Sequence, residues 1–393
     1  MERRMLGVFS VFSFLVEARR AVFIPYFSLY LKEELAASYT QIGIILTLIL
    51  GLNALFQIVW GWTSDRVAKR KHFLILGEGI PGLVFPFIPQ IRDVTVLAIV
   101  LPAVSILWSM AAPSWKALIA EHSNPGERGE LMGKITTCGG IGAIIALPIV
   151  ADLIDQVGYS YFFYFSALCM VLASLTSFFV KEPEGLKPSQ QRLLSTEQLK
   201  IFYTDHRPFS LFTLLILLTL FASRLIEGFI SLYATGLGAN VHQVGYLFML
   251  RDGTETAFMI PMGRLTDKIG KVKMLKFALV VSAFAILGFA AARVWWYLLF
   301  AVVVESVGYS GYHVSSFAVL SSLTPREMRG TYMGFHSMMA SFSFLASSVG
   351  GSIADGFGLR ILFLVSFVFS ILVAFYFVTW LQRNREIIDQ SPN

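Results

Sequence analysis

Gly61-Trp62-Thr63-Ser64-Asp65-Arg66-Val67-Ala68-Lys69-Arg70-Lys71 returns 202 residues later as Gly263-Arg264-Leu265-Thr266-Asp267-Lys268-Ile269-Gly270-Lys271-Val272-Lys273. Each copy is a short basic stretch between two long apolar runs. Each opens on Gly and carries Asp four residues on. A connection this short joins neighbouring antiparallel helices. Gly at the helix end lets backbones approach closely, and the Asp can cap a helix N-terminus or pair with the surrounding cations. The chain therefore reads as two related halves, each organised around one copy.

Of the 393 residues, 56% are hydrophobic and 14% charged, at a mean hydropathy of +0.68. A soluble domain carries about 25% charged residues, so the composition points to the bilayer. The net charge of +6 sits in short loops, which fits the positive-inside rule and argues against nucleic acid as a partner. Cys138 and Cys169 both fall in apolar runs and read as packing residues, not as a disulfide or metal site. Arg3-Arg4 and the apolar run behind them resemble a signal peptide. Glu17, Arg19 and Arg20 interrupt that run and no small-residue cleavage site follows, so it reads as a retained first helix.

A spanning helix needs about 20 mostly apolar residues. Twelve runs meet that measure: 5–31, 40–62, 73–90, 94–118, 131–154, 159–180, 209–236, 242–262, 274–292, 295–322, 331–354 and 359–382. The long connection 181–208 carries Pro183, Gly185 and Pro188, and its Ser195-Thr196-Glu197-Gln198 has the spacing of a capping box for a short surface helix. It separates an N-terminal six-helix bundle, 1–180, from a C-terminal one, 209–393. Of the 31 Lys and Arg, 23 fall on the side that holds both termini. Lys32, Arg92, Arg293 and Arg360 fall on the other. That bias places both termini in the cytoplasm of a cell in whose plasma or inner membrane the chain lies.

The halves repeat beyond the two loops. Ser28-Leu29-Tyr30 recurs as Ser231-Leu232-Tyr233, Gln41-Ile42-Gly43 as Gln243-Val244-Gly245, Arg128-Gly129 as Arg329-Gly330, and Ala151-Asp152 as Ala354-Asp355. Six spans repeated in parallel imply two halves related by an axis along the membrane normal.

These residues resemble the major facilitator superfamily over essentially the full length. Its signature between the second and third helices is G-x-L-a-D-R-x-G-R-K. The first copy matches at Gly61, Asp65, Arg66, Lys69 and Arg70 and departs at Thr63, Ser64 and Ala68. The second keeps Gly263, Leu265, Asp267, Lys268, Gly270 and Lys271 and has Val272 where a basic residue is expected. The resemblance implies an all-α polytopic fold of twelve transmembrane helices in two pseudo-symmetric six-helix bundles. It also implies that the two loops latch the cytoplasmic side, with Asp65 and Asp267 as latch residues and the cations as their partners.

Charges in the middle of the spans carry the most information. Each costs about 2.5–3.5 kcal/mol at a helix centre, against the 0.3–0.6 kcal/mol an apolar residue gains. They should therefore face a partner or a wet cavity. In the first helix Glu17 and Arg20 are three residues apart and share a face, while Arg19 points about 100° away and needs a different partner. Glu-x-x-Arg here resembles the proton-coupling pair of several facilitator exporters, drug antiporters and glycolipid flippases among them. An arginine beside a carboxylate favours the ionised form, and a rearrangement that withdraws it favours the proton.

The seventh helix offers Arg224 and Glu227, and the eighth Arg251, Asp252 and Glu255. Asn53 is the counterpart of Glu255 in the first half, so the fold does not require that charge. The tenth offers Glu305, with Tyr309, Tyr312 and His313 on one broad face. A lone His is more often a satisfied hydrogen-bonding residue than a proton carrier, and the same applies to His336 and Glu78. Trp108 lies in the fourth helix. Lys116, near that helix's end, can snorkel. Arg19, Arg20, Arg224 and Arg251 roughly balance Glu17, Glu227, Asp252, Glu255 and Glu305. This suggests a substrate with polar or charged groups beside an apolar part. Drug-exporting relatives carry an arginine in the first half of the fourth helix, and Leu101–Trp108 has none.

The sequence has no phosphate-cradling G-x-x-x-x-G-K-S/T, no metal-spaced His/Cys cluster and no site for covalent chemistry. The expectation is a monomeric carrier, not an enzyme, without cofactor. It would move a small organic or amphipathic solute by alternating access, coupled to protons and directed outward. Proton-coupled uptake and lipid flipping are alternatives. A membrane sensor or scaffold is the reading from another class, and it would tolerate neutralising the buried charges.

Overall fold

In lipid a backbone amide has no water to turn to, so a spanning segment must satisfy its own hydrogen bonds. The computed structural model describes residues 3–123, 128–182, 207–324 and 329–390, and these are helical almost throughout. Most of the expected linker, with its capping-box helix, lies outside the described residues. The first helices are α1 (Arg3–Glu33), α2 (Tyr39–Val67), α3 (Arg70–Val84, continued by a 3₁₀ turn Phe85–Gln90), α4 (Val94–Trp108), α5 (Ala111–Glu121), α6 (Arg128–Val157) and α7 (Ser160–Ser177). There follow α8 (Arg207–Glu227), α9 (Ile230–Gly236), α10 (Val241–Ile269), α11 (Lys271–Ala291), α12 (Tyr297–Ser322) and α13 (Arg329–Ser341). After a 3₁₀ turn, Phe342–Leu345, come α14 (Ala346–Phe357), α15 (Leu359–Arg383) and α16 (Arg385–Gln390).

Among the described residues, nine helical segments are long and apolar enough to cross a membrane. Three of them join two helices: α4 with α5, α8 with α9, and α13 with α14. The helices α1, α10 and α12 are the three that would complete twelve. Mid-helix charges interrupt α1 and α10, and in α12 Glu305 and His313 stand among Ser, Gly and Tyr. The helices that fall short of the apolar measure are those in which the sequence concentrates its chemistry.

The chain divides into two compact units, Met1–Gln191 with Ala239–Met249, and Arg192–Gly238 with Leu250–Asn393. In the first, α6 lies close against α1. A Cβ at Gly142 would run into the backbone of Phe14, and one at Gly139 into Ser13 and Glu17. Helices in lipid gain their association from such close packing of small residues. Gly142→Ala is therefore expected to cost about 1–3 kcal/mol, read as a lower unfolding temperature in detergent. Gly133→Ala on the same helix, where a Cβ meets nothing within 4 Å, is the control. The first turns of α10 also belong to this unit. His242 Nε2 stands 2.7 Å from Asp152 Oδ1 of α6, and a Cβ at Gly245 would run into the Tyr26 hydroxyl.

In the second unit α14 meets α8 in the same manner, with Gly350 against the backbone of Leu225. Phe209, Phe212, Leu275, Tyr332 and Phe377 form the centre of its main apolar cluster.

The repeat between the two halves of the sequence reaches individual hydrogen bonds. Ser38 and Gln41 close a capping box at the start of α2, and Asn240 and Gln243 exchange the same two bonds, both 2.9 Å, at the start of α10. The Ser105 hydroxyl donates to the Ile49 carbonyl at 3.1 Å, and the Ser306 hydroxyl to the Arg251 carbonyl at 3.1 Å. Tyr30 packs on Phe163 at 4.9 Å between ring centroids, Tyr233 on Phe363 at 4.6 Å. The two basic loops turn through equivalent residues, Ala68 at φ 53° and Gly270 at φ 92°. Only Gly adopts that region freely, so Ala68 is strained where its counterpart is not. Ala68→Gly is expected to stabilise the chain by about 0.5–1 kcal/mol, visible as a raised unfolding temperature.

Candidate functional site

In the first unit α1 places its two adjacent arginines in opposite environments. Glu17 and Arg20, one turn apart, form an ion pair that stays open, their side chains 31% and 59% exposed. Arg19 is sealed. Its Nη2 lies 3.5 Å from Glu78 Oε1 of α3, and the two side chains are 2% and 1% exposed. The Trp108 ring of α4 covers the Arg19 guanidinium at 4.2 Å. The Arg19 Nε and Nη1 and the Glu78 Oε2 have no hydrogen-bond partner among the described residues. Glu78 is thus the partner that Arg19 required, and Trp108 spends its face on that arginine.

Asn53 and Trp60 have a local role on the same unit. Between α4 and α5 the helix tightens at Ser109–Met110, where Met110 N–H donates to Leu107 O and leaves Ile106 O without its usual partner. Trp60 Nε1 donates to that carbonyl at 2.8 Å, and Asn53 Nδ2 donates to Ser105 O at 3.0 Å. Gln57 in turn donates to Asn53 Oδ1 at 2.9 Å.

The second unit gathers most of the remaining charges. Arg251 Nε of α10 lies 3.3 Å from Glu305 Oε2 of α12, with side chains 18% and 17% exposed. Glu227, Asp252 and Glu255 also act on Arg251 electrostatically, and Glu255, Glu227, Arg251 and Glu305 act in the same way on Tyr309. Arg224 of α8 donates to Ser343 Oγ at 2.5 Å and lies over the Phe344 ring at 3.3 Å. His313 is exposed and packs on Tyr309 at 6.0 Å. Two arginines and four carboxylates therefore act on one another in this unit. His336 is apart from it, sharing a 3.1 Å hydrogen bond with Thr213 and stacking on Phe212, as a satisfied packing histidine does.

The two basic loops have diverged. In the first, Arg70 bridges Asp65 Oδ1 at 2.9 Å and Glu121 Oε1 at 2.8 Å, tying the ends of α2, α3 and α5 together, while Arg66 lies over Trp62 at 4.6 Å. In the second, Val272 holds the place of Arg70, buried among Leu275, Val319 and Leu320. Asp267 and Lys268 are exposed, and Asp267 pairs with no described cation. An ionic tie on one side corresponds to an apolar contact on the other. The glycines that open the loops do not serve close approach: a Cβ at Gly61 would stand 3.4 Å from Pro113 and one at Gly263 3.9 Å from Val314, ordinary contacts.

The description "MFS_1 like family" matches residues 6–365. The chain is a member of the MFS_1 like family. It is a multi-pass membrane transporter of the major facilitator type and not an enzyme. The maltose permease of Geobacillus stearothermophilus is 23% identical over 384 residues, 96% of this chain and 95% of the relative. The multidrug resistance protein MdtG of Dickeya zeae (strain Ech586) is 21% identical over 394 residues, 96% and 95% of the two chains. Among solved structures, the nucleoside transporter NupG superposes with a TM-score of 0.82 at 14% identity, over 96% of this chain and 98% of that one. A bacterial homologue of the human lysosomal transporter Spinster, in an inward-facing and occupied conformation, gives 0.75 at 12%, over 96% of both.

Sequence reasoning missed two residues of this MFS chain. Glu121 is a single acid at the end of a span, and only the fold brings it to Arg70. Glu78 read as one more packed polar group. The signal that could have paired it was Arg19, a buried cation with no acid on its own helix face.

Proposed function

We propose that this chain is a secondary active transporter that exchanges protons for a small organic or amphipathic solute and moves the solute outward by alternating access. The observation that carries the reading is the Glu17–Arg20 pair on α1, a partly exposed carboxylate beside an exposed cation one turn away. The acid-rich cluster around Arg251 would bind the solute, or a second proton, through Glu227, Asp252, Glu255 and Glu305, with Arg224, Tyr309 and His313 at its margin. Asn53 and Trp108 would serve the first half mainly as supports. The Asp65–Arg70–Glu121 tie would act in gating at the cytoplasmic ends, with Gly61, Arg66, Gly263, Asp267 and Lys268 in the same loops. The chain would work as a monomer in the plasma or inner membrane, both termini cytoplasmic, with 1–180 and 209–393 as its two moving bundles. Outward movement has support from the multidrug resistance relatives, one of which is aligned over 98% of this chain.

Uptake by proton symport is the second reading, supported by the maltose permease relative. Reconstituted vesicles with an imposed pH gradient separate the two. An antiporter drives solute to the acidic side, because protons leave that side as solute enters it. A symporter drives solute to the alkaline side. No gradient-driven movement across a broad solute panel would overturn both.

A further inference from the structure

In the first unit the N-terminal ends of α1 and α3 and the C-terminal end of α7 surround a cavity of about 810 Å³. Arg4, Lys71, His72 and Lys181 supply its polar wall, and Glu182 is the one acid among the lining residues. Lys71 and Glu182 are tied into that wall. Lys71 Nζ donates to Phe178 O at 2.7 Å, and Lys71 N–H approaches the Glu182 carboxylate at 3.3 and 3.4 Å. Arg4, His72 and Lys181 are exposed. The cavity is therefore a cationic recess at the ends of spanning helices.

Its lower rim is apolar and continues along the helices. On α3 and the turn that follows it, Leu76, Ile80, Leu83 and Phe87 are exposed, and on α7 and its last turn Leu168, Leu172, Leu175 and Phe179 are exposed. These spacings of three and four residues place each set on one helix face. The seam between the two rows is shut, because Gly79 lies against Ser174 and Gly82 against Met170 and Val171. The result is a shallow apolar track that begins at the cationic recess. From Leu76 to Phe87 the track runs about 16 Å at 1.5 Å per residue, close to the half-thickness of the hydrocarbon core, about 15 Å. A ligand that fits has an anionic head of phosphate size and chains that reach the bilayer midplane.

We propose that this recess and track bind one anionic phospholipid of the leaflet that faces the basic loops. Charge complementarity selects the head and the length of the track selects a diacyl chain over a soluble phosphate. Basic recesses at the ends of spanning helices are suited to such heads. None of the residues that line the recess is among the charges assigned to transport.

The full chain, purified in detergent and stripped of lipid, is titrated with phosphatidylglycerol and separately with phosphatidylcholine, and bound lipid is counted by native mass spectrometry. The expected result is one phosphatidylglycerol retained at concentrations where phosphatidylcholine is not. Arg4→Gln with Lys181→Gln should weaken that binding roughly thirty-fold, and Lys181→Arg alone should leave it unchanged. Equal retention of the two lipids by the unaltered chain overturns the proposal without reference to any variant. So does displacement of the lipid by inorganic phosphate at matched concentration, which would make the recess a phosphate site. Binding that survives the double substitution in a chain with an unchanged unfolding temperature also overturns it.

Discussion

Arg19→Met is expected to destabilise the fold by about 3–5 kcal/mol, while Arg20→Met, one residue along the same helix, costs under about 1 kcal/mol. The two arginines differ only in where the helix turns them. Arg19 is sealed with Glu78 beneath Trp108, so its loss leaves a buried carboxylate with neither counter-ion nor water. Arg20 is exposed beside a partly exposed Glu17, so its loss seals no charge in the protein interior. Removing both members of the sealed pair, as Arg19→Met with Glu78→Met, is expected to recover most of the loss, because an apolar pair of similar volume has no desolvation cost to offset. Chemical unfolding in mixed micelles reads all of these variants on one scale. A double variant as unstable as Arg19→Met would move the cause from charge to shape, to the stacking of the guanidinium on the Trp108 ring.

The architecture was legible because lipid leaves few choices: apolar runs of spanning length must be helices, and short basic connections must turn back on themselves. The repeat was legible for a further reason. Its matched residues do local work, and local work shows in sequence as fixed spacing. Gln41 and Gln243 each close a capping box with a residue three positions earlier; the resemblance implied ionic latches in both loops, and Val272 in the place of Arg70 is buried in an apolar cluster instead. Partners distant in sequence were not legible. Arg70 meets Glu121, and Arg19 meets Glu78, through helix packing that no spacing encodes. The cluster around Arg251 falls between these cases. Its charges stood out one by one in α8, α10 and α12, and their convergence depends on the same α2–α4 type of contact that Ser105 makes in the first half and Ser306 in the second. Where the first half has Ile49 and Asn53, the second has Arg251 and Glu255. The shared backbone contact with different side chains argues that the charges serve something other than folding.

Glu17→Gln is the substitution expected to change transport most. A gradient of one pH unit is worth about 1.4 kcal/mol per proton, enough for about tenfold accumulation of solute at one-to-one exchange. With glutamine in place of the carboxylate no proton is carried, so accumulation in reconstituted vesicles should fall to the level set by the solute alone. Exchange of labelled for unlabelled solute at equal pH should continue, because binding and reorientation do not need the proton. The reason for choosing Glu17 over the other acids is access. Glu78 is closed off with Arg19, and Glu305 is held by Arg251 within a cluster of further carboxylates, whereas Glu17 is partly exposed with an exposed cation one turn away. Withdrawing that cation favours the protonated carboxyl, and restoring it favours release, which is the cycle an exchanger requires. Full accumulation by Glu17→Gln, together with its loss in Glu305→Gln, would transfer the proton to the acid cluster of the second half. Loss of both accumulation and exchange in Glu17→Gln would show instead that this residue holds the solute.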